Sequence, residues 1–159
     1  PLGTAGVKIA INQALLQPLP AATELLVQEF DQPLVAAVRL FPGISANVLE
    51  NLLQPPLKGL VLEAYGAGNG PTATPGFIQV LQKWTARGVV IVAITQCWHG
   101  QVDLAAYATS LAQAGVTSGR DMTVEAALAK LFYLFSLGHP AEKVRQEMVK
   151  NLRGELTPF

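Results

Sequence analysis

The chain has 159 residues, half of them hydrophobic, so its composition predicts one domain of ordinary size with a buried core. Its 11 basic and 11 acidic residues balance, which argues against nucleic acid or an anionic membrane as the main partner, and no apolar run reaches the ~18 residues of a membrane span. The single cysteine, Cys97, excludes an internal disulfide framework and is typical of a reducing compartment.

Residues 1–33 differ in pattern from the rest of the chain. Short extended runs at 7–11 and around 25–27 flank the proline-containing stretch 17–20, and none of them has a clear helical period. This pattern predicts an interdomain linker with one or two small strands, which could pair as a hairpin. We do not expect this region to fold alone.

From Leu34 onwards, short apolar runs alternate with helical patterns. The predicted strands are 34–40, 57–65, 89–95 and a short fourth run at 115–116. The predicted helices are 46–53, 75–87, 103–114, the segment between Thr123 and Gly138, and 141–152. Expected helix starts are an N-cap at Ser45, Thr74 followed by Pro75 in the first turn, and Thr123 with Glu125.

Strands that alternate with helices predict right-handed crossovers and a parallel sheet. We therefore expect an α/β fold, a small three-layer, flavodoxin-like domain of about four strands with helices on both faces. This domain would span residues 34–159, and the linker or hairpin segment 1–33 would precede it.

The glycine-rich turn 66–70 follows a buried apolar strand, which places it at the sheet edge where open α/β sheets bind ligands. Position 71 is proline, so the third glycine of a GxGxxG loop is absent, and this argues against a nucleotide. Two interpretations remain. Either Asn69 caps a tight turn in which glycines adopt positive φ, or its amide faces a polar ligand.

Other reactive side chains offer weaker signals. Cys97 and His99 could suggest a nucleophile and its base, but nothing nearby orients the histidine, and we interpret Cys97 as a packed thiol. Tyr107 is either a core residue or the main polar group of its predicted helix. The two histidines, His99 and His139, have no metal-ligand spacing, and we expect neither a metal nor a cofactor.

Several short motifs follow one another between about Pro33 and Pro158. They are Phe41–Ser45, Tyr65–Asn69, Thr95–Cys97, Gly100 with Val102, Tyr107–Thr109, Ala114–Val116, Asp121–Ala126 and Asn151–Pro158. Taken together, they resemble the C-terminal domain of the cytoplasmic, type I L-asparaginases. Residues 1–32 resemble the connecting segment that precedes this domain.

The resemblance implies an amidohydrolase that converts L-asparagine to aspartate and ammonia with a threonine nucleophile and without a cofactor. In that family, both catalytic threonine motifs belong to a larger N-terminal domain, and this sequence contains neither motif. We therefore expect no catalytic residue in this chain, and we predict that the chain alone does not turn over substrate.

The resemblance also implies roles for individual residues. The family builds each active site at a dimer interface, where the residue matching Asn69 reaches the neighbouring protomer's substrate and the position of Tyr107 lies nearby. Bacterial members have a second, allosteric asparagine pocket. Cys97 matches a residue that lines this pocket, whereas Glu63 stands where the bacterial pattern has a basic residue. A carboxylate cannot pair with the effector's carboxylate as arginine would, so the resemblance implies a pocket at Cys97 and Glu63 but leaves allosteric control open.

The expected partners are a missing N-terminal catalytic domain, further copies of the chain in a dimer or dimer of dimers, and L-asparagine. The low charged fraction of 14% independently favours a surface that a partner covers. The rival hypothesis is a stand-alone amino-acid-binding or interaction module without catalytic activity. Such a module should carry several convergent polar groups, and here only Asn69, Gln96 and Tyr107 are candidates. We expect the protein in the cytoplasm.

Overall fold

The computed structural model describes residues 2–18, 27–29, 34–106 and 111–157, and its main body is an α/β domain. The strands are β1 (Gly3–Ala5), β2 (Ile9–Ile11), β3 (Val35–Arg39), β4 (Gly59–Ala64), β5 (Val90–Thr95) and β6 (Thr117–Ser118). The helices are α1 (Ala46–Leu52), α2 (Phe77–Ala86), α3 (Val124–Ser136) and α4 (Ala141–Met148), with 3₁₀ turns at Gln13–Leu15 and Leu111–Ala114.

Strands β3, β4, β5 and β6 form a parallel sheet in that order. Alternate side chains of β4 and β5 enter two separate cores, because side chains of a strand point to opposite faces in turn. Helices α1 and α2 cover one core, and α3 and α4 cover the other. The continuous apolar runs in the sequence thus reflect burial on both faces, and the predicted three-layer α/β fold is confirmed.

The segment before this domain contains a small antiparallel hairpin. Strands β1 and β2 pair with Gly3 opposite Ile11. Strand β2 begins at Ile9, whereas the sequence predicted an extended run from Val7. The apolar side chains of Val7, Ile9 and Ile11 are exposed. The hairpin that the sequence allowed is therefore present. The predicted run at 25–27 lies mostly outside the described residues, and the division at residue 33 stays a prediction.

Two of the three predicted helix starts are correct. The Ser45 hydroxyl accepts a hydrogen bond from Val48 N, and the Thr123 hydroxyl accepts one from Ala126 N. The predicted cap at Thr74 is wrong, because α2 begins at Phe77 after Gly76, whose φ of 79° is left-handed. A residue with a left-handed φ cannot be part of a right-handed helix, so α2 does not extend N-terminally past Gly76. Thr74 therefore lies in the preceding turn.

The predicted α-helix at 103–114 is also wrong. Leu104–Ala106 form a turn, and Leu111–Ala114 form a 3₁₀ helix, while 107–110 lie outside the described residues. Asp103 N donates to Ala67 O at 2.8 Å, so the backbone here is bonded to a neighbouring loop. Tertiary hydrogen bonds of this kind override a helical pattern in an alanine-rich segment.

Two smaller boundaries differ from the sequence interpretation. The fourth strand is Thr117–Ser118, two residues later than predicted, because Gly115 adopts a left-handed φ of 72°. Helix α4 ends at Met148 instead of continuing to 152. The residues beyond it turn back onto α3, where the buried Lys130 binds the carbonyl oxygens of Met148 and Lys150.

Candidate functional site at the carboxyl edge of the sheet

The turn 65–70 leaves β4 at the carboxyl edge of the parallel sheet. Tyr65 and Asn69 exchange two backbone hydrogen bonds of 2.8 Å, and Gly68 N donates to Tyr65 O at 2.9 Å. We call residues 65–70 the Asn69 loop. Its short internal hydrogen bonds hold it as one compact turn, at the place where this class of sheet binds ligands.

Glycine is required at one position of the Asn69 loop. Gly68 has a φ of 110°, and a Cβ atom there would lie 2.7 Å from Cγ1 of the buried Val102. The positive φ and the close contact both exclude a side chain. The glycine-rich composition therefore has a structural cause, namely the packing of residues 102–104 against the loop.

The side chain of Asn69 is half-buried and partly used within the loop. Its Oδ1 accepts a hydrogen bond of 2.8 Å from Gly70 N. Within the described ranges, its amide nitrogen makes no hydrogen bond to another residue. The oxygen thus acts as the turn cap that the sequence allowed, and the NH₂ group still has two donors for a ligand.

Gln96 follows β5, and its amide nitrogen is used within the fold. Its Nε2 donates to Leu40 O and to Glu63 O, both at 2.7 Å. These bonds join the ends of β3 and β4 to the loop after β5. The Gln96 NH₂ group thus satisfies two backbone carbonyls and is not available as a donor to a ligand.

Glu63 lies at the end of β4, directly opposite Arg39 of β3. The Arg39 Nε and Glu63 Oε2 atoms are 3.9 Å apart, and the Glu63 side chain is 18% exposed. A long, partly exposed ion pair of this kind adds little stability, but it places a basic group beside the carboxylate. The local charge at this position is therefore balanced within the sheet.

Cys97 is exposed, and the prediction of a packed thiol is wrong. The chain leaves the sheet after Thr95, and Cys97 N donates to the Thr95 hydroxyl oxygen at 3.0 Å. The following Trp98 is 94% exposed and His99 is exposed too. The apolar character of Cys97 predicted that its side chain would be buried. The loop after β5 instead places this residue and its neighbours away from both cores.

Some parts of the expected site fall elsewhere. Tyr107 lies outside the described residues. A surface cavity of about 550 Å³ is lined by residues of the 101–104 segment with Ser118, Arg120 and Val149, and Asn69, Cys97 and Glu63 are not among its lining residues. Sequence reasoning also missed Tyr65, whose hydroxyl is buried and makes no hydrogen bond to any residue that the structure describes. No sequence signal marks such a hydroxyl, because its isolation depends on packing.

The described part of the chain contains no cluster of three or more His, Cys, Asp or Glu side chains that could bind a metal ion. None of its helices has the length and apolar character needed to cross a membrane.

Comparison with known sequences identifies the family. The sequence profile described as Glutaminase/Asparaginase C-terminal domain matches residues 34–148. The chain belongs to the glutaminase/asparaginase C-terminal domain family. The matched range contains the whole parallel sheet and the Asn69 loop, and the resemblance read from the short motifs is confirmed.

Individual relatives of this family member are longer proteins. The chain is 48% identical to L-asparaginase 1 of Escherichia coli K12 over 137 residues, which is 85% of this chain and 40% of the relative. It is also 48% identical to the human 60 kDa lysophospholipase over 163 residues, covering 99% of this chain and 28% of the relative. The chain thus spans less than half of these curated relatives.

A solved structure has the same fold as this chain. The crystal structure of L-asparaginase I from Vibrio cholerae superposes with a TM-score of 0.84 at 39% identity, covering 99% of this chain and 48% of that chain. The structural match includes residues outside the family profile, among them the β1–β2 hairpin. The hairpin and the α/β domain therefore both have counterparts in that asparaginase.

Proposed function

We propose that this family member is the C-terminal part of an L-asparaginase, an amidohydrolase that converts L-asparagine to aspartate and ammonia. The nucleophile would belong to a catalytic domain N-terminal to residue 1 of this sequence. Two facts support the proposal: the 48% identity to L-asparaginase 1 of Escherichia coli, and a match that covers only 40% of that relative. The chain would then act as a substrate-positioning and assembly part and would be inactive alone.

The observation that carries the proposal is the placement of Asn69. The Asn69 loop is held rigidly at the carboxyl edge of the sheet, and the amide nitrogen has no partner within the described ranges. We propose that this NH₂ group donates to the carboxylate of the substrate's amino-acid head in a neighbouring protomer. Tyr107 would lie near the same substrate. Orientation of a bound substrate by such contacts lowers the barrier of the reaction.

The proposal includes assembly and location. We propose that two copies form a dimer whose interface contains the Asn69 loop, because a residue that serves a neighbouring site has to lie at the contact. The dimer, or a dimer of such dimers, would work in the cytoplasm, which is consistent with a free, exposed Cys97.

Glu63 and Cys97 are the two residues that bear on allosteric regulation of the proposed enzyme. A carboxylate effector needs a basic partner, and at this edge Glu63 supplies a negative charge whose neighbour is Arg39. We propose that Cys97 and Glu63 line a pocket whose charge differs from that of the bacterial effector site, with Arg39 as the basic group beside it.

The first experiment measures ammonia release from L-asparagine by this chain alone and by the chain extended through the upstream catalytic domain. We expect activity only in the extended protein. The Asn69→Ala variant of the extended protein should lose about tenfold or more in kcat/KM, because the substrate head group loses its donor. Asn47→Ala, which changes an exposed asparagine on α1, is the matched control and should leave kcat/KM unchanged.

The alternative outcomes separate the hypotheses. Activity of the short chain would place the nucleophile within these 159 residues and contradict the proposal. Inactivity of both forms, together with asparagine binding by calorimetry, would favour the stand-alone amino-acid-binding module.

A further inference from the structure

The end of β5 contacts the Asn69 loop through a single hydroxyl group. Thr95 Oγ1 donates to Gly66 O at 2.6 Å and accepts from Cys97 N at 3.0 Å. One side chain thus bonds two separate loops, the Asn69 loop and the loop 96–100 that follows its own strand. A hydroxyl can donate and accept at the same time, so both bonds are compatible.

The loop 96–100 folds back over this hydroxyl. At Gly100, a Cβ atom would lie 3.8 Å from Thr95 Cγ2 and 4.0 Å from Thr95 Oγ1. Thr95 is half-buried, but both of its hydrogen bonds are exposed, because Gly66 and Cys97 lie at the surface. Each bond therefore adds only modestly to stability, and its effect is to fix the direction of the loop backbone.

The rest of the Asn69 loop is supported from the other side. Asp103 N donates to Ala67 O at 2.8 Å, and Val102 packs against Gly68. Residues 102–103 therefore support the middle of the loop, while Thr95 fixes its first glycine. Gly66 has a positive φ of 47° and no side chain that could anchor it by packing. The hydrogen bond from Thr95 therefore restrains a backbone position at which glycine allows many conformations.

We infer that Thr95 is a positioning residue for Asn69. Its hydroxyl fixes the carbonyl of Gly66 and thereby the direction in which the loop presents the Asn69 amide. The same hydroxyl also accepts a hydrogen bond from Cys97 N, so it holds the start of loop 96–100 beside the Asn69 loop. The effect on catalysis rests on the proposed function, whereas the effect on the loop does not.

The catalytic test is a double-mutant cycle in the extended protein. Thr95→Val keeps the shape of the side chain and removes both hydrogen bonds. We expect kcat/KM for asparagine to fall about tenfold, mainly through a higher KM, because the head-group contact exists before the transition state. Thr95→Ser restores the hydroxyl and should recover kcat/KM to within about twofold of the parent.

The cycle distinguishes positioning from general damage. In the Asn69→Ala background, Thr95→Val should change kcat/KM by less than about twofold, because the residue through which it acts is already gone. Thr117→Val on the edge strand β6 is the matched control and should leave both backgrounds unchanged. An equal loss from Thr95→Val in both backgrounds would overturn the inference.

Hydrogen exchange in the 159-residue chain tests the loop without any activity. The backbone N–H groups of Gly68 and Asn69 both donate to Tyr65 O, and they should exchange at least about fivefold faster in Thr95→Val than in the parent. Thr117→Val should leave these two rates unchanged. If the extended protein releases no ammonia, the proposed function fails, yet this measurement still decides the inference: unchanged exchange in Thr95→Val overturns it.

Discussion

Asn69 and Tyr65 close the same turn, but their side chains are used differently. The Asn69 side chain supplies an acceptor to Gly70 N, and its NH₂ group makes no hydrogen bond within the described residues, so the cap that the sequence offered is present and does not exclude a ligand contact. The Tyr65 ring packs on the core beneath α1 and α2, and its hydroxyl is buried and has no hydrogen-bond partner in the described part of the chain. A buried, unpaired hydroxyl destabilises a fold.

We predict that Tyr65→Phe does not destabilise the chain. It removes the unpaired hydroxyl and keeps the ring, so the free energy of unfolding should stay equal or rise by up to about 1 kcal/mol. Urea denaturation followed by circular dichroism measures the change. Tyr133→Phe on α3 is the control. A loss of more than about 1 kcal/mol in Tyr65→Phe would instead mean that the hydroxyl has a hydrogen-bond partner, such as a bound water.

At the level of elements, loops decide which side chains reach the carboxyl edge. Thr95, Gln96 and Cys97 are consecutive, yet one hydroxyl bonds two loops, one amide bonds two carbonyls and one thiol is exposed. Further along the chain, residues 103–106 form a turn that is hydrogen-bonded to Ala67, where the sequence predicted a helix. The candidate site is thus assembled from contacts between loops, which the helical and strand patterns do not encode.

The end of α4 depends on a buried ion pair. Lys130 Nζ donates to Met148 O at 3.0 Å and lies 2.6 Å from Glu155 Oε1, and the Lys130 side chain is 4% exposed. Glu155 in turn accepts a hydrogen bond of 3.0 Å from Leu152 N. The lysine therefore closes the segment after α4 onto α3, which explains why this helix is shorter than the sequence predicted.

We predict that Lys130→Met lowers the free energy of unfolding by about 3 kcal/mol, because it leaves the Glu155 carboxylate without its cation. Lys143→Met, which breaks an exposed pair with Glu147 on α4, should cost only about 0.5 kcal/mol. Urea unfolding compares the two variants. Adding Glu155→Gln to Lys130→Met should recover part of the loss. Equal losses in both single variants would contradict a special role for the buried pair.

In the whole molecule, two carboxylates fasten the C-terminal segment to the α/β domain. Burial raises the pKa of Asp121, but hydrogen bonds from Thr157 outweigh it and hold that pKa below its usual value of 3.8. Burial likewise raises the pKa of Glu155, but Lys130 and the N–H groups of Leu152 and Arg153 outweigh it and hold that pKa below its usual value of 4.5. Both groups therefore favour the charged state in the folded chain.

We predict that the chain loses stability in acid. Because both carboxylates bind protons less readily when folded, the unfolded chain takes up more protons as the pH falls. The free energy of unfolding should be constant above about pH 5.5 and should decrease as the pH falls below the unfolded pKa values of 4.5 and 3.8. Urea titrations between about pH 7 and pH 3 measure this decrease.

A matched variant assigns the acid sensitivity. Asp121→Asn removes one of the carboxylates whose pKa is lowered in the folded chain, so its stability should depend less steeply on pH below about 4.5 than that of the parent chain. A free energy of unfolding that rises on acidification, or the same slope in Asp121→Asn, would show that other groups control the transition.

The sequence by itself determined the fold class and the position of the Asn69 loop. Runs that are apolar at every position require burial on both faces, and their alternation with helical segments leaves a parallel sheet as the expected solution. Hydroxyls at Ser45 and Thr123 marked two helix starts, because capping depends only on residues within one turn.

Only the tertiary structure decided the features that depend on distant partners. The use of the Gln96 amide, the turn at 104–106 and the short α4 follow from contacts between segments far apart in the chain, and the exposure of Cys97 depends on where the loop after β5 leaves the sheet. Local sequence patterns do not record such contacts, because one residue type can be buried or exposed, free or bonded, according to what packs against it. The motif Thr95–Cys97 marked the family, but it did not reveal the two hydrogen bonds of the Thr95 hydroxyl, which depend on two loops meeting at the end of β5.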